Sequence, residues 1–194
     1  MKDFIAENLR NSMAAKEKLA AAQTDEIIRL AQLIAEILKN GNKLLIFGNG
    51  GSAADAQHMA AEFVNRFIID RPPQAAIALT TDTSNITSIG NDFSFDDIFL
   101  KQVQALGKKG DLALGISTSG NSPNVVKAIE AAAAMGLHTA VLTGGSGGKL
   151  AGMAEIVINV PSDRTPHIQE AHLWVEHLLC WLVDDLLFGG KYGD

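Results

Sequence analysis

The 194-residue sequence holds one cysteine, Cys180, and few aromatic residues, 6% of the chain. One thiol cannot close an internal disulfide, so a reducing compartment is the simplest expectation. No block of lysine and arginine occurs. Sixteen basic residues stand against 22 acidic ones, a formal charge of −6, which argues against a broad electrostatic footprint for nucleic acid. Long hydrophobic runs are missing as well. The apolar stretch Leu178-Leu179-Cys180-Trp181-Leu182-Val183 is far too short to span a bilayer and ends at Asp184-Asp185. Asp3 and Glu7 stand where a signal peptide would carry a basic and then an apolar stretch. A cytoplasmic protein that binds neither membrane nor nucleic acid is expected.

A hydrophobic share of 47% supplies a real core, and the length suits one domain over residues 1–194. Residues 3–39 contain no Gly or Pro and repeat Ile27, Leu30, Ile34, Ile37 and Leu38 at helical spacing. Thr24 before Glu26 and Ile27 looks like a helix start, so residues 1–40 read as two helices broken near Gln23 and closed by Gly41. Short aliphatic runs then alternate with Gly-rich turns and helical segments. Strands are expected at 43–47, 75–79 (with its end at Asp82), 112–116, 139–142 and 156–160. Helices are expected at 53–66, 123–135 (Pro123 first, Ser122 its cap) and 168–188, the last stopped by Gly189-Gly190. Near-continuous aliphatic strands between helices mean a doubly wound parallel α/β sheet covered on both faces, here with a helical N-terminal extension.

In such sheets ligands bind beyond the carboxyl ends of the strands. Gly48-Asn49-Gly50-Gly51-Ser52 turns there. It fits only part of a dinucleotide fingerprint (Gly48, Gly50, Ala53), because the acidic residue expected about 20 positions on is missing. Ser117-Thr118-Ser119-Gly120-Asn121-Ser122 gathers four hydroxyls where a helix begins, more than capping needs, and the helix dipole favours an anion. It has no lysine and is not a Walker loop. His58 and Glu62, four apart, share one helix face. Residues 169–177 add Gln169, His172, Glu176 and His177. Spacing alone favours His172 and Glu176 as a second such pair, with His177 about 80° round the helix from Gln169. Single pairs of this kind are usually exposed polar faces. Two clusters beside a phosphate-type turn point to metal-assisted proton transfer.

Taken together, Gly48-Asn-Gly-Gly-Ser52, His58 with Glu62, Gly90-Asn91-Asp92, Gly115-Ile-Ser-Thr-Ser-Gly-Asn-Ser122, Leu142-Thr143-Gly144 and Ile168-Gln169-Glu170 with His177 resemble the phosphoheptose isomerase family of sugar-isomerase (SIS) domains. The resemblance spans nearly the whole chain. It implies that Glu62 is the catalytic base and His177 its acid/base partner, and that His58, Glu62, Gln169 and His177 hold zinc. It assigns phosphate binding to Ser117, Thr118, Ser119 and Ser122, and sugar contacts to turns carrying Asn49, Gly50, Gly51, Ser52, Asn91 and Asp92, with Gln169 also on the substrate. It favours His177 over His172, which becomes a packing residue or one that supports the site residues from behind. It also implies a homotetramer whose active sites combine neighbouring subunits. One departure stands out. Pro166-His167 replaces the Asp-Arg that many members carry before Ile-Gln-Glu, so any sugar contact there is altered.

The activity implied is interconversion of sedoheptulose 7-phosphate and D-glycero-D-manno-heptose 7-phosphate through an enediol, the first step toward ADP-heptose for lipopolysaccharide core. Some SIS relatives instead bind the bacterial replication initiator without catalysis. Those proteins lack the Glu62 and His177 equivalents, and both residues are present here.

Overall fold

The five aliphatic runs form one parallel sheet. In the computed structural model, which describes residues 1–189, they are β1 (Leu44–Gly48), β2 (Ala76–Ala78), β3 (Leu112–Ile116), β4 (His138–Gly144) and β5 (Ile156–Val160), in the spatial order β2-β1-β3-β4-β5. The helices are α1 (Lys2–Lys39), α2 (Gly51–Val64), α3 (Thr83–Asp92), α4 (Ile98–Leu106), α5 (Pro123–Ala134) and α6 (Thr165–Phe188). Side chains alternate between the two faces of a strand, so each strand feeds two cores. Leu44, Ile46, Leu112, Leu114, Ala140 and Leu142 pack with α1, α2 and α6 on one face. Leu45, Phe47, Ala113 and Val141 pack with α4 and α5 on the other. This is the doubly wound arrangement the sequence predicts.

The expected break near Gln23 is a kink inside one continuous helix. Gln23 has φ −135° and ψ 22°, and its Oε1 accepts the Asn159 N–H of β5 at 2.8 Å. The side chain that breaks the helix thereby ties it to the sheet. Gly41 closes α1 as expected, with N–H bonds from Gly41 to Leu38 and from Asn42 to Ile37. Before Ser12 the helix is exposed on every side, and Phe4, Ile5, Leu9 and Met13 lie bare. Helix α6 starts at Thr165, three residues before the predicted start, and ends at Gly189 in the left-handed region. Gly190, the second glycine of the predicted stop, lies outside the described residues.

Three expectations are corrected. Strand β2 ends at Ala78; Asp82 instead caps α3, its carboxylate accepting the Asn85 N–H at 3.0 Å. Asn91 and Asp92 therefore close a helix rather than sit in a turn. Ser122 occupies the cap position of α5, but its hydroxyl makes no cap bond, because it pairs with Ser117 Oγ at 2.9 Å. Among the described residues no helix is long and apolar enough to cross a membrane.

From β1 the chain runs outward to β2, then crosses back to β3 on the other side of β1. The crevice beyond the carboxyl ends of β1 and β3 is thus a topological switch point, where open α/β sheets take their ligands. The turn 48–52 follows β1 and the turn 117–122 follows β3.

Candidate active site

The hydroxyl turn is held from below. Gly120 N–H bonds to Ser117 O at 2.9 Å, and Gly120 O accepts the Leu150 N–H at 3.1 Å. Gly120 lies at φ +63° so close to Gly147 that a Cβ would collide with its carbonyl, so glycine is required here. The Ser119 hydroxyl accepts the Asn121 N–H at 3.2 Å. Thr118 and Ser119 line a cleft of about 260 Å³ with Gly144, Ser146, Ser162 and Thr165. In the first turn of α5, Pro123 has no N–H, the Val125 N–H bonds to Asn124 Oδ1 and the Val126 N–H to Ser122 O, which leaves the Asn124 N–H beside this turn for an anion. The arrangement suits a phosphate dianion.

Helix α2 begins in the glycine turn and runs alongside α6 in the same direction. Two contacts fix that direction: Gln169 packs on Gly51, and His177 meets His58. A Cβ at residue 51 would strike the Gln169 amide, so glycine at 51 admits that side chain. Further along the seam, His58 Nε2 and His177 Nε2 are 2.9 Å apart, with the rings edge to face. Glu62 Oε1 is 3.7 Å from His58 Nε2. Phe67 stacks on His177 with ring centroids 5.5 Å apart, which orients the imidazole. Glu62 is 22% exposed and His58 40%, so the cluster opens to solvent and to a ligand. Burial, and after it the neighbouring His58, lowers the His177 pKa below the ordinary value; Glu62 opposes this. Neutral imidazole is therefore favoured, a form that can exchange a proton in either direction.

One chain brings together three of the four residues implied for zinc. Gln169, at the level of Gly51, stands about 10 Å along the helix axis from His58, seven residues at the helical rise. As they stand, no three His, Cys, Asp or Glu side chains among the described residues form a group that holds a metal. The donor set still fits. Two imidazole nitrogens 2.9 Å apart and a carboxylate oxygen 3.7 Å from one of them are donor types that zinc takes, close enough together to share one ion.

Spacing had favoured His172 and Glu176, and the structure separates them. Both are fully buried. His172 Nε2 donates to Thr143 O at 2.9 Å, which bolts α6 to β4 and makes His172 a packing residue, one of the two roles the resemblance leaves it. Burial lowers its pKa to about 4. Neither Glu176 carboxyl oxygen has a hydrogen-bond partner; burial, then Asp55 on α2, pushes its pKa well above the ordinary carboxylate range. His167 is buried too, its Nε2 accepting from Asn8 Nδ2 on α1 at 3.3 Å. Asn91 and Asp92 are exposed, bonded side chain to side chain at 2.8 Å. Ser52 is buried at the start of α2 and Gly50 is exposed in the turn.

Sequence reasoning missed Arg71 and Asn124. The Arg71 guanidinium bonds to the carbonyls of Glu62 (2.8 Å) and Phe63 (2.6 Å) at the end of α2, and to Asp184 on α6 (2.9 Å). An arginine just past a helix end, where carbonyls lack partners, is the signal that could have found it.

A parallel sheet with hydroxyl- and Gly-rich turns at its switch point, and an acid–base cluster beside them, defines an α/β domain of the sugar-isomerase type. Residues 8–144 match the family model described as SIS domain. A phosphoheptose isomerase of Nitratidesulfovibrio vulgaris strain Hildenborough is 55% identical over 95% of this chain and 89% of its own. The structure of the phosphoheptose isomerase from Neisseria gonorrhoeae superposes with TM-score 0.90 at 44% identity, covering 95% of this chain and 98% of that one. The one from Francisella tularensis gives 0.91 at 42%, covering 94% and 97%. The chain belongs to the phosphoheptose isomerase family and is an isomerase.

Proposed function

We propose that the chain interconverts sedoheptulose 7-phosphate and D-glycero-D-manno-heptose 7-phosphate, in the cytoplasm, as the first step toward ADP-heptose for lipopolysaccharide core. The observation that carries this reading is the meeting of Glu62 and His177, from two different helices, around His58. The ketose must lose a proton from C1 and gain one at C2. Glu62, partly shielded from water, takes the C1 proton and returns it at C2. His177 delivers a proton to the ketose oxygen, giving the enediol, and recovers one from the other oxygen; a positioned group of this kind contributes roughly 10²–10⁴-fold. The phosphate takes no part in bond making. Ser117, Thr118, Ser119 and Ser122 hold it and so fix the sugar relative to Glu62. A scaffold for a replication initiator would need neither Glu62 nor His177.

His58, Glu62 and His177, joined by Gln169, would hold zinc. Zinc in this site would polarise the carbonyl and stabilise the developing oxyanion. Since Gln169 packs two turns from His177, a homotetramer sharing sites between subunits would complete the set. The bare Phe4, Ile5, Leu9 and Met13 of α1 support such an assembly, because contiguous exposed apolar side chains favour a partner.

The test is to mix purified protein with sedoheptulose 7-phosphate and follow aldose formation with and without a chelator. Activity supports the reading, and loss on chelation supports the metal. Glu62→Gln and His177→Gln should abolish turnover while phosphate binding persists. Near-normal turnover by either variant would reject the assignment.

A further inference from the structure

Asn49 and Asn124 face each other across the crevice. Asn49 Nδ2 donates to Asn124 Oδ1 at 2.8 Å, and Asn124 Nδ2 donates back to Asn49 Oδ1 at 2.9 Å. Asn49 sits in the glycine turn after β1. Asn124 is the second residue of α5, directly after the hydroxyl turn. Its Oδ1 also accepts the Val125 N–H at 2.9 Å, and the residue is only 2% exposed. Beyond the last strand pairing, Gly48 with Ile116, no other hydrogen bond joins the two turns among the described residues. A reciprocal amide pair is directional, because each amide must present donor and acceptor in register with the other. The Asn124 amide is buried while Asn49 is partly exposed, so on the Asn124 side little solvent replaces the bonds if the turns separate.

We propose that Asn124 is a positioning residue, holding the glycine turn at a fixed distance from the hydroxyl turn. The hydroxyl turn takes the phosphate and the glycine turn meets the reacting end of the sugar, so the pair sets the register between anchor and chemistry. The proposal rests on the phosphosugar reading given above. It goes beyond it in making the phosphate turn and the glycine turn one mechanical unit. Occupancy of the first then steadies the second.

The test uses Asn124→Ala and Asn124→Ser. Serine keeps an oxygen that can accept a nearby N–H at the helix start but is too short to reach Asn49. Both variants should lose roughly ten- to a hundredfold in kcat, the scale of a reacting group displaced by about 1 Å. Their KM should stay within about threefold, since the hydroxyls that bind phosphate are untouched. Adding Asn124→Ala to Asn49→Ala should lower kcat no further. A second readout needs no turnover: inorganic phosphate should slow amide hydrogen exchange in residues 49–54 and 117–126 of the natural protein, but only in 117–126 of Asn124→Ala. Restoration of kcat by serine would reduce Asn124 to a helix cap and overturn the proposal. So would phosphate protection of 49–54 that persists in Asn124→Ala, or that is missing from the natural protein. A natural protein inert toward sedoheptulose 7-phosphate would overturn the isomerase reading, and the exchange experiment would still decide the link.

Discussion

Replacing His172 with leucine separates two effects that the structure combines in one side chain. The buried imidazole donates from Nε2 to Thr143 O and leaves Nδ1 without a partner. It is therefore the neutral ring that fits, and burial lowers its pKa to about 4 from the 6.5 of an exposed histidine. Between those two values the unfolded chain binds a proton that the folded chain refuses. Stability from this group is complete above pH 6.5 and is lost as the pH falls toward 4. At 1.36 kcal/mol per pH unit over about 2.5 units, the loss is about 3 kcal/mol. That is a large share of the roughly 5–15 kcal/mol that holds a domain folded. Leucine removes the titration but orphans the Thr143 carbonyl, a cost of about 1–3 kcal/mol that does not depend on pH. Urea denaturation of both proteins at one protein concentration, from pH 7.5 to 4.5, should show the natural protein ahead at high pH and its lead shrinking by about 2–3 kcal/mol in acid. Parallel profiles would refute the reasoning.

Gly51→Ala should leave the melting temperature unchanged or raised, since alanine suits the first turn of α2, while kcat/KM falls roughly ten- to a hundredfold as the Gln169 amide is displaced. Ser119→Ala removes one hydroxyl from the phosphate turn, so KM should rise about tenfold or more with kcat nearly constant; a fall in kcat alone would contradict an anchoring role. Arg71→Met strands Asp184 as a buried unpaired carboxylate and should destabilise the fold by roughly 3–5 kcal/mol in urea titration.

Most strands were legible because aliphatic runs bounded by glycine leave little alternative, and the α1 kink because Thr24 and Glu26 mark a helix start. Helix α3 was not legible. None of its residues is buried, so no apolar period records it, and its cap Asp82 read as the end of a strand. The hydroxyl turn was found by composition, yet the role of Ser122 was misjudged: a hydroxyl at a cap position can turn to another hydroxyl as well as to the backbone, and Ser117 won it. His172 and Glu176 show the limit of spacing. Four residues apart means one shared face, but not which face turns inward. Helix α6 is apolar almost all round, and packing against β4 and α2 turned both of those residues inside. His177, one position on, was left facing His58. The resemblance points to His177 where periodicity points to His172, and the structure sets His177 against His58. Asn124 carried no such signal, because an asparagine in a first helical turn reads as local capping and its partner lies 75 residues away.

The seam between α2 and α6 is polar where an apolar one would be at least as stable. It holds Asp55 and Glu176 with unpartnered oxygens, and a buried Arg71–Asp184 pair. Such groups recover little net stability beyond what their desolvation costs. What they supply is direction. Apolar side chains set how closely two helices approach but tolerate sliding, whereas a guanidinium bonded to two carbonyls and a carboxylate does not. Arg71 grips α2 at the carbonyl of Glu62 itself and grips α6 at Asp184, seven residues beyond His177 and on the same face. Glu62 and His177 are thereby registered against each other through main chain and helix rather than through loops, the placement that keeps a constellation within a fraction of an ångström. A protein that only displays a surface gains nothing from that registry. One that moves a proton between two adjacent carbons depends on it.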